Sequence, residues 1–574
     1  MKIKDFIKPY RWTIVLIVML TLGQVIGELL LPNLMAKIVD EGIAKGDTSF
    51  IIDSGVIMLI ISLFAVICAI SAGFFASRTA LSVAKNLRQA VFEKVTGYSL
   101  SEFDRIGTSS LITRTTNDVQ QIQQTTFMTL RMMMRAPVMC IGAAFLAVRK
   151  DSGLSLLLLA IIPIIGGLIY LILVKAMPLF RQVQKKLDQL NLVLRETLVG
   201  IRIIRAFSRI GFYKKKFKTA NEDLTQTSIR VNRIMAILDP AIGIGMNALT
   251  IAIIYVASFR IEKGDLMVGD MMAFIQYAMQ VFMSLTMITM MFVMLPRAFA
   301  SAERIRDVFN QENEIKDPAQ SQESKEGRRG LIEFKEVSFR YRHAENCAVK
   351  KASFIARPGE TIAIIGGTGS GKTSLLNLIL RYYDIEKGFI LIDGVDIRKM
   401  KQQELHDMIG IVPQKTTLFS GTIKENIWLG KQNATDEEIK EACHIAQAEE
   451  FIEALPEKYN SEVAQGGTNF SGGQKQRLSI ARAIVKRPKI YLFDDCFSAL
   501  DFKTDAKVRK ELNKITTDAT VILVAQRVTS IQHADRILVM DNGSIVGQGK
   551  HEELLKENKV YQEIVESQLS EVQI

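Results

Sequence analysis

Six apolar segments, each close to the ~20 residues a helix needs to cross a bilayer, occupy the first half of this sequence. Gly55–Ser77, Leu154–Val174 and Met271–Pro296 carry no charged residue, and Ala241–Phe259 is nearly as clean. Trp12–Ala36 is interrupted by Glu28, and Met128–Val148 contains Arg131 and Arg135 near its start. A backbone in hydrocarbon must satisfy its own hydrogen bonds, so segments of this kind fold as helices. Residues 1–10 carry three lysines, but the apolar run behind them is longer than a signal-peptide core and lacks a small-residue exit, which predicts an uncleaved first span.

The connections alternate in length, and the alternation predicts the topology. Short links (around Gly42–Ser49, Arg149–Ser152 and Ile261–Gly269) join spans 1–2, 3–4 and 5–6; long ones join 2–3 and 4–5. The second long loop, Phe180–Arg233, holds Lys185, Lys186, Arg195, Arg202, Arg205, Lys214, Lys215, Lys216 and Lys218 against four acids. The formal net charge of +12 is thereby accounted for by basic loops, without invoking nucleic acid. The positive-inside rule puts both long loops and both termini in the cytoplasm of a multi-pass cell-membrane protein. Helical spacing in Ser109–Ile122 and Glu196–Phe207 predicts spans that continue into the cytoplasm and end in short cross-helices able to touch a soluble domain. The five cysteines are scattered, with no CxxC and no histidine at ligand spacing, so neither a disulfide scaffold nor a zinc site is expected.

Glu28 is costly in lipid and predicts either an aqueous cavity that takes a cation or a structural ion pair. Arg131 and Arg135 read as ion pairs in the cytoplasmic half. Met279, Met283, Met287, Met290, Met291 and Met294 recur at three- and four-residue spacing, which suits ordinary packing or a surface that adapts to ligands of many shapes.

The organisation changes after residue 310. Residues 311–330 are polar, apolar-poor and contain Pro and Gly, as a linker does. From 331 to 574, short β-branched runs alternate with helical ones, the pattern of an α/β domain. Thr361–Leu380 reads as strand, glycine loop and helix, with G-x-x-x-x-G-K-T at Gly366–Thr373. Gly366, Gly369 and Gly371 let backbone N–H groups turn toward phosphate oxygens, Lys372 reaches the β and γ phosphates, and Thr373 can hold Mg²⁺. Ile490–Asp495 supplies a buried strand whose terminal carboxylate, Asp494, suits the same ion. In Asn469–Ile484 a serine and two glycines precede a helix, a second anion nest from Ser471, Gly472 and Gly473. One nucleotide does not need two nests, so the second is expected to serve a nucleotide held by another copy of the domain, in a face-to-face dimer.

Gly366–Thr373, Ile411–Gln414, Phe470–Gln474, Leu492–Asp495 and Ser498–Asp501, in this order and spacing, resemble the nucleotide-binding domain of an ABC transporter. With six spans in front, the whole chain resembles a bacterial multidrug-type ABC exporter half-transporter. The resemblance implies a type I exporter fold, an all-α six-helix membrane domain followed by an α/β P-loop domain with a helical subdomain. It implies that Tyr341 stacks on adenine and that ATP and Mg²⁺ are held by Gly366, Gly367, Thr368, Gly369, Ser370, Gly371, Lys372, Thr373, Ser374, Gln414 and Asp494. It also implies that Ser471, Gly472, Gly473 and Gln474 clamp the γ-phosphate on the opposite subunit, that Asp501 connects the two sites, and that the cross-helices are coupling helices.

Two positions depart from the family. Asp495 stands where a glutamate should polarise the attacking water, and Gln526 where a histidine should contact the γ-phosphate. Aspartate is one carbon shorter, which withdraws its carboxylate by ~1.5 Å, and glutamine cannot carry a proton or a charge. The resemblance therefore implies a heterodimer: this chain holds ATP in a weakened site while its intact signature completes the site of a different half-transporter. The expected cargo is a hydrophobic or cationic drug crossing the bilayer. A lipid or peptide exporter, or an ATP-binding switch subunit without transport, are the alternatives.

Overall fold

The computed structural model describes residues 3–322, 329–342 and 344–572. Within it the chain forms two compact units, residues 1–96 with 109–310, and residues 97–108 with 311–574.

Among the described residues, six helices of the first unit are long and apolar enough to cross a membrane. The second, Thr48–Thr96, has 49 residues, about 74 Å at 1.5 Å per residue and more than twice a ~30 Å hydrocarbon layer, so it continues well past the span. Its composition sorts by face. Ala65, Cys68, Ala72, Ala76 and Ala80 are buried, whereas Leu59, Ile70 and Phe74 are exposed. Small residues let helix backbones approach where dispersion and close packing hold the bundle together, and large apolar side chains are left to face lipid.

The third span, expected at about 128–148, lies within a helical run of 43 residues, Thr108–Lys150, interrupted by the π-turns Arg114–Asp118 and Thr129–Met133. Arg135 therefore lies 15 residues before the short-link end (150 − 135), the same depth as Glu28 in the run Asp5–Ile43 (43 − 28 = 15). The two form a salt bridge of 2.7 Å, and Gln24 Nε2 donates to Glu28 at 2.8 Å. Arg135 is thus paired in the short-link half of the membrane helices, not in the half expected from its place in the sequence. Arg131 forms no ion pair among the described residues; its guanidinium lies against Gly73, where a Cβ would meet it at 2.1 Å.

Short helices stand at the tips of both long loops, Leu100–Ile106 and Ile201–Ala206. The first belongs to the second unit. Ser99 and Glu102 close its N-terminus as a capping box, and buried Glu102 also accepts from the Glu314 N–H at 3.1 Å. The polar segment that follows the membrane helices does not hang free where it is described. Ile315 is buried, the Gln402 N–H donates to Asp317 at 3.0 Å, and Gln322 N–H donates to the Lys399 carbonyl at 3.0 Å.

The second unit is built on a six-stranded sheet in the order Ser544–Gly549, Arg536–Asp541, Thr361–Gly366, Thr520–Val524, Ile490–Asp494, Ile409–Val412. All neighbours are parallel except the first pair. Strands buried on both faces read as continuous apolar runs, as YLF and TVILV do here. A four-stranded antiparallel sheet, Val349–Ala356, Ile332–Phe339, Lys387–Ile392, Val395–Asp396, packs on one side of it. Helices Ile423–Trp428, Asp436–Ile445 and Gly472–Val485 form the helical subdomain on the other.

Candidate ATP site

Parallel register brings the functional residues to one edge. Val524 is level with both Ile364 and Asp494, so the carboxyl ends of three neighbouring strands open together. Ligands of open α/β sheets bind at such an edge.

The phosphate loop, Gly367–Gly371, leaves the central strand here. Gly371 has φ +100°, and a Cβ on it would lie 2.2 Å from the Ala348 carbonyl; a Cβ on Gly366 would lie 2.1 Å from that of Met540. Both positions require glycine, because the loop is folded tightly against the adjoining backbone. The helix Lys372–Ile379 starts directly behind it, aiming its N-terminal N–H groups into the loop. Lys372 Nζ donates to the carbonyls of Gly366 and Gly367, each at 2.8 Å. Thr368 and Gly369 lie within the loop, and Ser370 N–H donates to the Gly367 carbonyl at 3.2 Å.

Thr373 Oγ1 donates to Asp494 Oδ1 at 3.2 Å, which puts one hydroxyl and one carboxylate side by side. Magnesium keeps several waters and is bound through one or two protein groups and phosphate oxygens, so this small donor set fits it. Among the described residues no group of three or more His, Cys, Asp or Glu could hold a metal. Burial pushes the Asp494 carboxyl above its ordinary range, against the Thr373 hydroxyl and the Lys372 charge, and lowers Lys372 against the two aspartates.

Asp495 follows at φ +48°, a left-handed conformation that costs energy for any side chain and that Asp tolerates better than most. Its N–H donates to the Val524 carbonyl at 2.9 Å, which ties it to the adjacent strand. Its Oδ2 accepts from Gln526 Nε2 at 2.7 Å and from Gln414 Nε2 at 3.3 Å. The structure therefore joins the two departures predicted from sequence into one hydrogen-bonded pair. Burial also pushes Asp495 up, opposed by Gln414 and Ser498.

Tyr341 Oη and Ser374 Oγ are 3.0 Å apart. The Tyr341 ring meets Tyr383 edge-on at 5.1 Å, and Tyr383 Oη donates to Asp104 Oδ2 at 2.6 Å on the first loop-tip helix. Sequence reading missed Tyr383 and Asp104; the aromatic pair Tyr382–Tyr383 just after the loop helix was the available signal. It also missed Gln568. Its Nε2 donates to the Gln526 carbonyl at 2.6 Å, and its Oε1 accepts from the Val528 N–H at 2.8 Å. No local pattern marks that residue, because its role arises from the return of the C-terminal helix Lys559–Val572.

Ser471 caps the helix Gly472–Val485 in a reciprocal box with Gln474, leaving the N–H groups of Gly472 and Gly473 at its first turn. Asp501 caps the helix Phe502–Ile515 by accepting from the Thr504 N–H at 3.0 Å, which holds its carboxyl below the usual range.

In the first unit, Glu28 and Arg135 line a cavity of about 310 Å³ together with Gln280, Met279, Met283 and Met287. Gln280 Oε1 is buried without a hydrogen-bond partner. The side chains of Met290 and Met291 lie outside the described residues.

Residues 14–285 match the family described as ABC transporter transmembrane region, and residues 349–498 the family described as ABC transporter. An uncharacterized ABC transporter ATP-binding protein of Mycobacterium tuberculosis is 40% identical over 569 residues, 99% of this chain and 97% of that one. The ATP-dependent lipid A-core flippase of Chromobacterium violaceum is 30% identical over 568 residues, 98% and 96% of the two chains. Among solved structures, a bacterial Atm1-family ABC exporter with ATP bound superposes with a TM-score of 0.80, 24% identity and coverage of 97% and 99%.

Proposed function

The chain belongs to the ABC transporters, as an exporter subunit that carries its membrane helices and transport ATPase in one polypeptide, and from that premise we propose that it is one half of a heterodimer. The observation that carries the proposal is the state of Asp495. A general base must reach its proton, and a ~1 Å misplacement can cost roughly a hundredfold. Here the shortened carboxylate is also engaged by Gln526 at 2.7 Å, a neutral donor that cannot supply a charge to the γ-phosphate. The signature nest, by contrast, has its serine, both glycines and its cap.

In this reading the chain's own pocket binds ATP with Mg²⁺ at Thr373 and Asp494 and turns it over slowly. Bound Mg²⁺ neutralises charge on the phosphates. Lys372 and the loop N–H groups orient them, Gln414 senses the ion, and Tyr341 stacks on the base. Ser471, Gly472, Gly473 and Gln474 complete the hydrolytic site of a homologous partner that brings the glutamate and histidine. ATP draws the two nucleotide-binding domains together, the loop-tip helices transmit closure, and hydrolysis at the partner's site resets the membrane domain. Both termini and both long loops lie in the cytoplasm.

The cargo is a hydrophobic, amphipathic compound held at the methionine-lined cavity, whose flexible thioethers adapt to shape while the Gln280 amide supplies a polar contact. Glu28 is already matched by Arg135, so its charge is not free for a cationic substrate. A lipid cargo is the second reading, favoured by the relative named as a lipid A-core flippase. Drug and lipid efflux are separated by reconstituting the heterodimer and measuring dye transport against headgroup-labelled lipid flipping, with Lys372→Ala as the inactive control. Fast ATP turnover by the purified chain alone, undiminished by Ser471→Ala, would end the asymmetric model.

A further inference from the structure

The turn that follows the phosphate-loop helix carries an aromatic side chain to the Tyr341 side of the ATP pocket. The chain leaves Lys372–Ile379 and reverses at Arg381, which has the left-handed φ of +51°. The buried Arg381 guanidinium holds the turn by donating to Asp384 at 3.0 Å and to the Ile397 carbonyl at 3.4 Å. Tyr383 stands on this turn. Opposite it, Phe339 ends the strand Ile332–Phe339, and Tyr341, two residues on, falls on the same side by the two-residue period of extended chain. The three rings meet edge-on or tilted, Phe339 to Tyr341 at 4.8 Å, Tyr341 to Tyr383 at 5.1 Å and Phe339 to Tyr383 at 5.5 Å.

Tyr341 is thereby supported at three points. Its hydroxyl meets Ser374 Oγ at 3.0 Å, and Phe339 and Tyr383 meet its ring. Phe339 and Ser374 are 4% and 7% exposed, so the core of the nucleotide-binding unit holds them in place. Tyr383 is only half-buried, and its hydroxyl is held by the loop-tip helix Leu100–Ile106, where Asp104 accepts from it at 2.6 Å. That length belongs to a hydroxyl-to-carboxylate bond, the stronger kind. A second tether runs from the same helix. Glu314 accepts from Ser101 at 2.9 Å and from Arg342, the neighbour of Tyr341, at 2.7 Å. Arg342 and Glu314 are exposed, and a pair of that kind is weak by itself, which leaves the Asp104–Tyr383 bond as the main link.

We infer that Tyr383 and Asp104 are positioning residues for the nucleotide base, acting through Tyr341, so that this chain's affinity for the base of ATP, and not its hold on the phosphates, depends on the Leu100–Ile106 helix. The inference rests on the reading of Tyr341 as the residue that stacks on the base. A ring already held in one orientation has little freedom left to lose when a base stacks on it, whereas a ring free to turn must be ordered at the moment of binding. Pre-ordering one such side chain changes affinity by roughly two- to tenfold. The phosphates fall to the glycine loop and to Lys372, whose own contacts run to the Gly366 and Gly367 carbonyls.

The test is equilibrium binding of radiolabelled ATP with Mg²⁺ to the full-length chain in lipid nanodiscs. Tyr341→Ala is expected to weaken binding by roughly fivefold or more, the value of a base stacked on an aromatic ring. Tyr383→Phe, which removes only the hydroxyl, and Asp104→Ala are each expected to weaken it by roughly two- to tenfold. In the Tyr341→Ala background neither is expected to weaken it further. Inorganic tripolyphosphate, which has no base, is expected to compete with the same inhibition constant in the wild-type chain and in both single variants. A loss that persists undiminished on Tyr341→Ala, or one matched by an equal loss for tripolyphosphate, would show a general disturbance of the unit and overturn the inference. Unchanged ATP affinity in both single variants, with Tyr341→Ala weakened, would sink the inference and leave the stacking reading standing. Unchanged affinity in Tyr341→Ala would end the stacking reading and the inference with it. Tyr383→Phe keeps the ring in place, so it decides the matter where Asp104→Ala fails to fold.

Discussion

At the scale of single residues, one carboxylate concentrates most of what distinguishes this protein. Asp495 is short by a methylene and engaged by Gln526, so restoring its length should matter more than restoring any charge around it. Asp495→Glu is expected to raise ATP hydrolysis at this site by roughly tenfold to a hundredfold, the range a ~1 Å placement error costs; single-turnover measurement with the proposed partner's site inactivated reads it. Should the rate stay flat, the Gln526→His addition must recover it, or the signature of the proposed partner sets the limit. Gln568 positions the segment around Gln526 through two backbone contacts. Gln568→Ala removes interactions worth roughly 1 kcal/mol each, and is expected to lower kcat with little change in KM for ATP. Both Asp495 and Gln526 were legible in the sequence as departures, because a motif fixes which chemical group should stand at a position. Their mutual hydrogen bond was not, since residues 31 apart in sequence meet only through the register of two parallel strands.

At the scale of elements, the proposed coupling rests on the loop-tip helices. The helix Leu100–Ile106 packs with the nucleotide-binding unit through Glu102 and through Asp104, whose partner Tyr383 touches the Tyr341 ring. Burial and the Asp104 carboxylate both push the Tyr383 hydroxyl well above its usual range, so it remains a donor at all physiological pH. Asp104→Asn weakens that contact by about 1 kcal/mol once its exposure is discounted. The expected outcome is loss of cargo stimulation of ATPase with basal turnover kept within about twofold. The second loop tip presents a different case: Val199 and Phe207, flanking Ile201–Ala206, are 83% and 73% exposed. Apolar side chains left open at a loop tip suit contact with another protein surface, and Phe207→Ser is expected to weaken assembly with the proposed partner in crosslinking. The periodic stretch Glu196–Phe207 contains the second short helix, whereas the first, Leu100–Ile106, lies ahead of the periodic stretch Ser109–Ile122. A cross-helix able to touch a soluble domain was expected, but that Leu100–Ile106 is that helix is decided by long-range contacts such as Glu102 to Glu314.

At the scale of the molecule, the membrane bundle turns on how its few internal charges are matched. Removing one member of the Glu28–Arg135 pair leaves the other uncompensated, which is worse than removing both. Glu28→Gln is expected to lower the thermal midpoint by a few degrees, with the Glu28→Gln, Arg135→Gln double variant recovering most of it, and transport of neutral hydrophobic cargo retained in the double variant. Equal destabilisation by the single and double variants would show that the pair is not what holds these helices. The amino-acid sequence by itself determined the class of fold and the chemistry of the ATP site. Apolar length, charge asymmetry and phosphate-binding loops are local properties, set by what a bilayer or a phosphate demands of consecutive residues. The tertiary structure alone decided which charges neutralise one another, that Asp495 is held by Gln526, and that Gln568 returns to support it. Each of these depends on residues far apart in sequence being brought within hydrogen-bond or van der Waals reach, and that proximity is a product of packing.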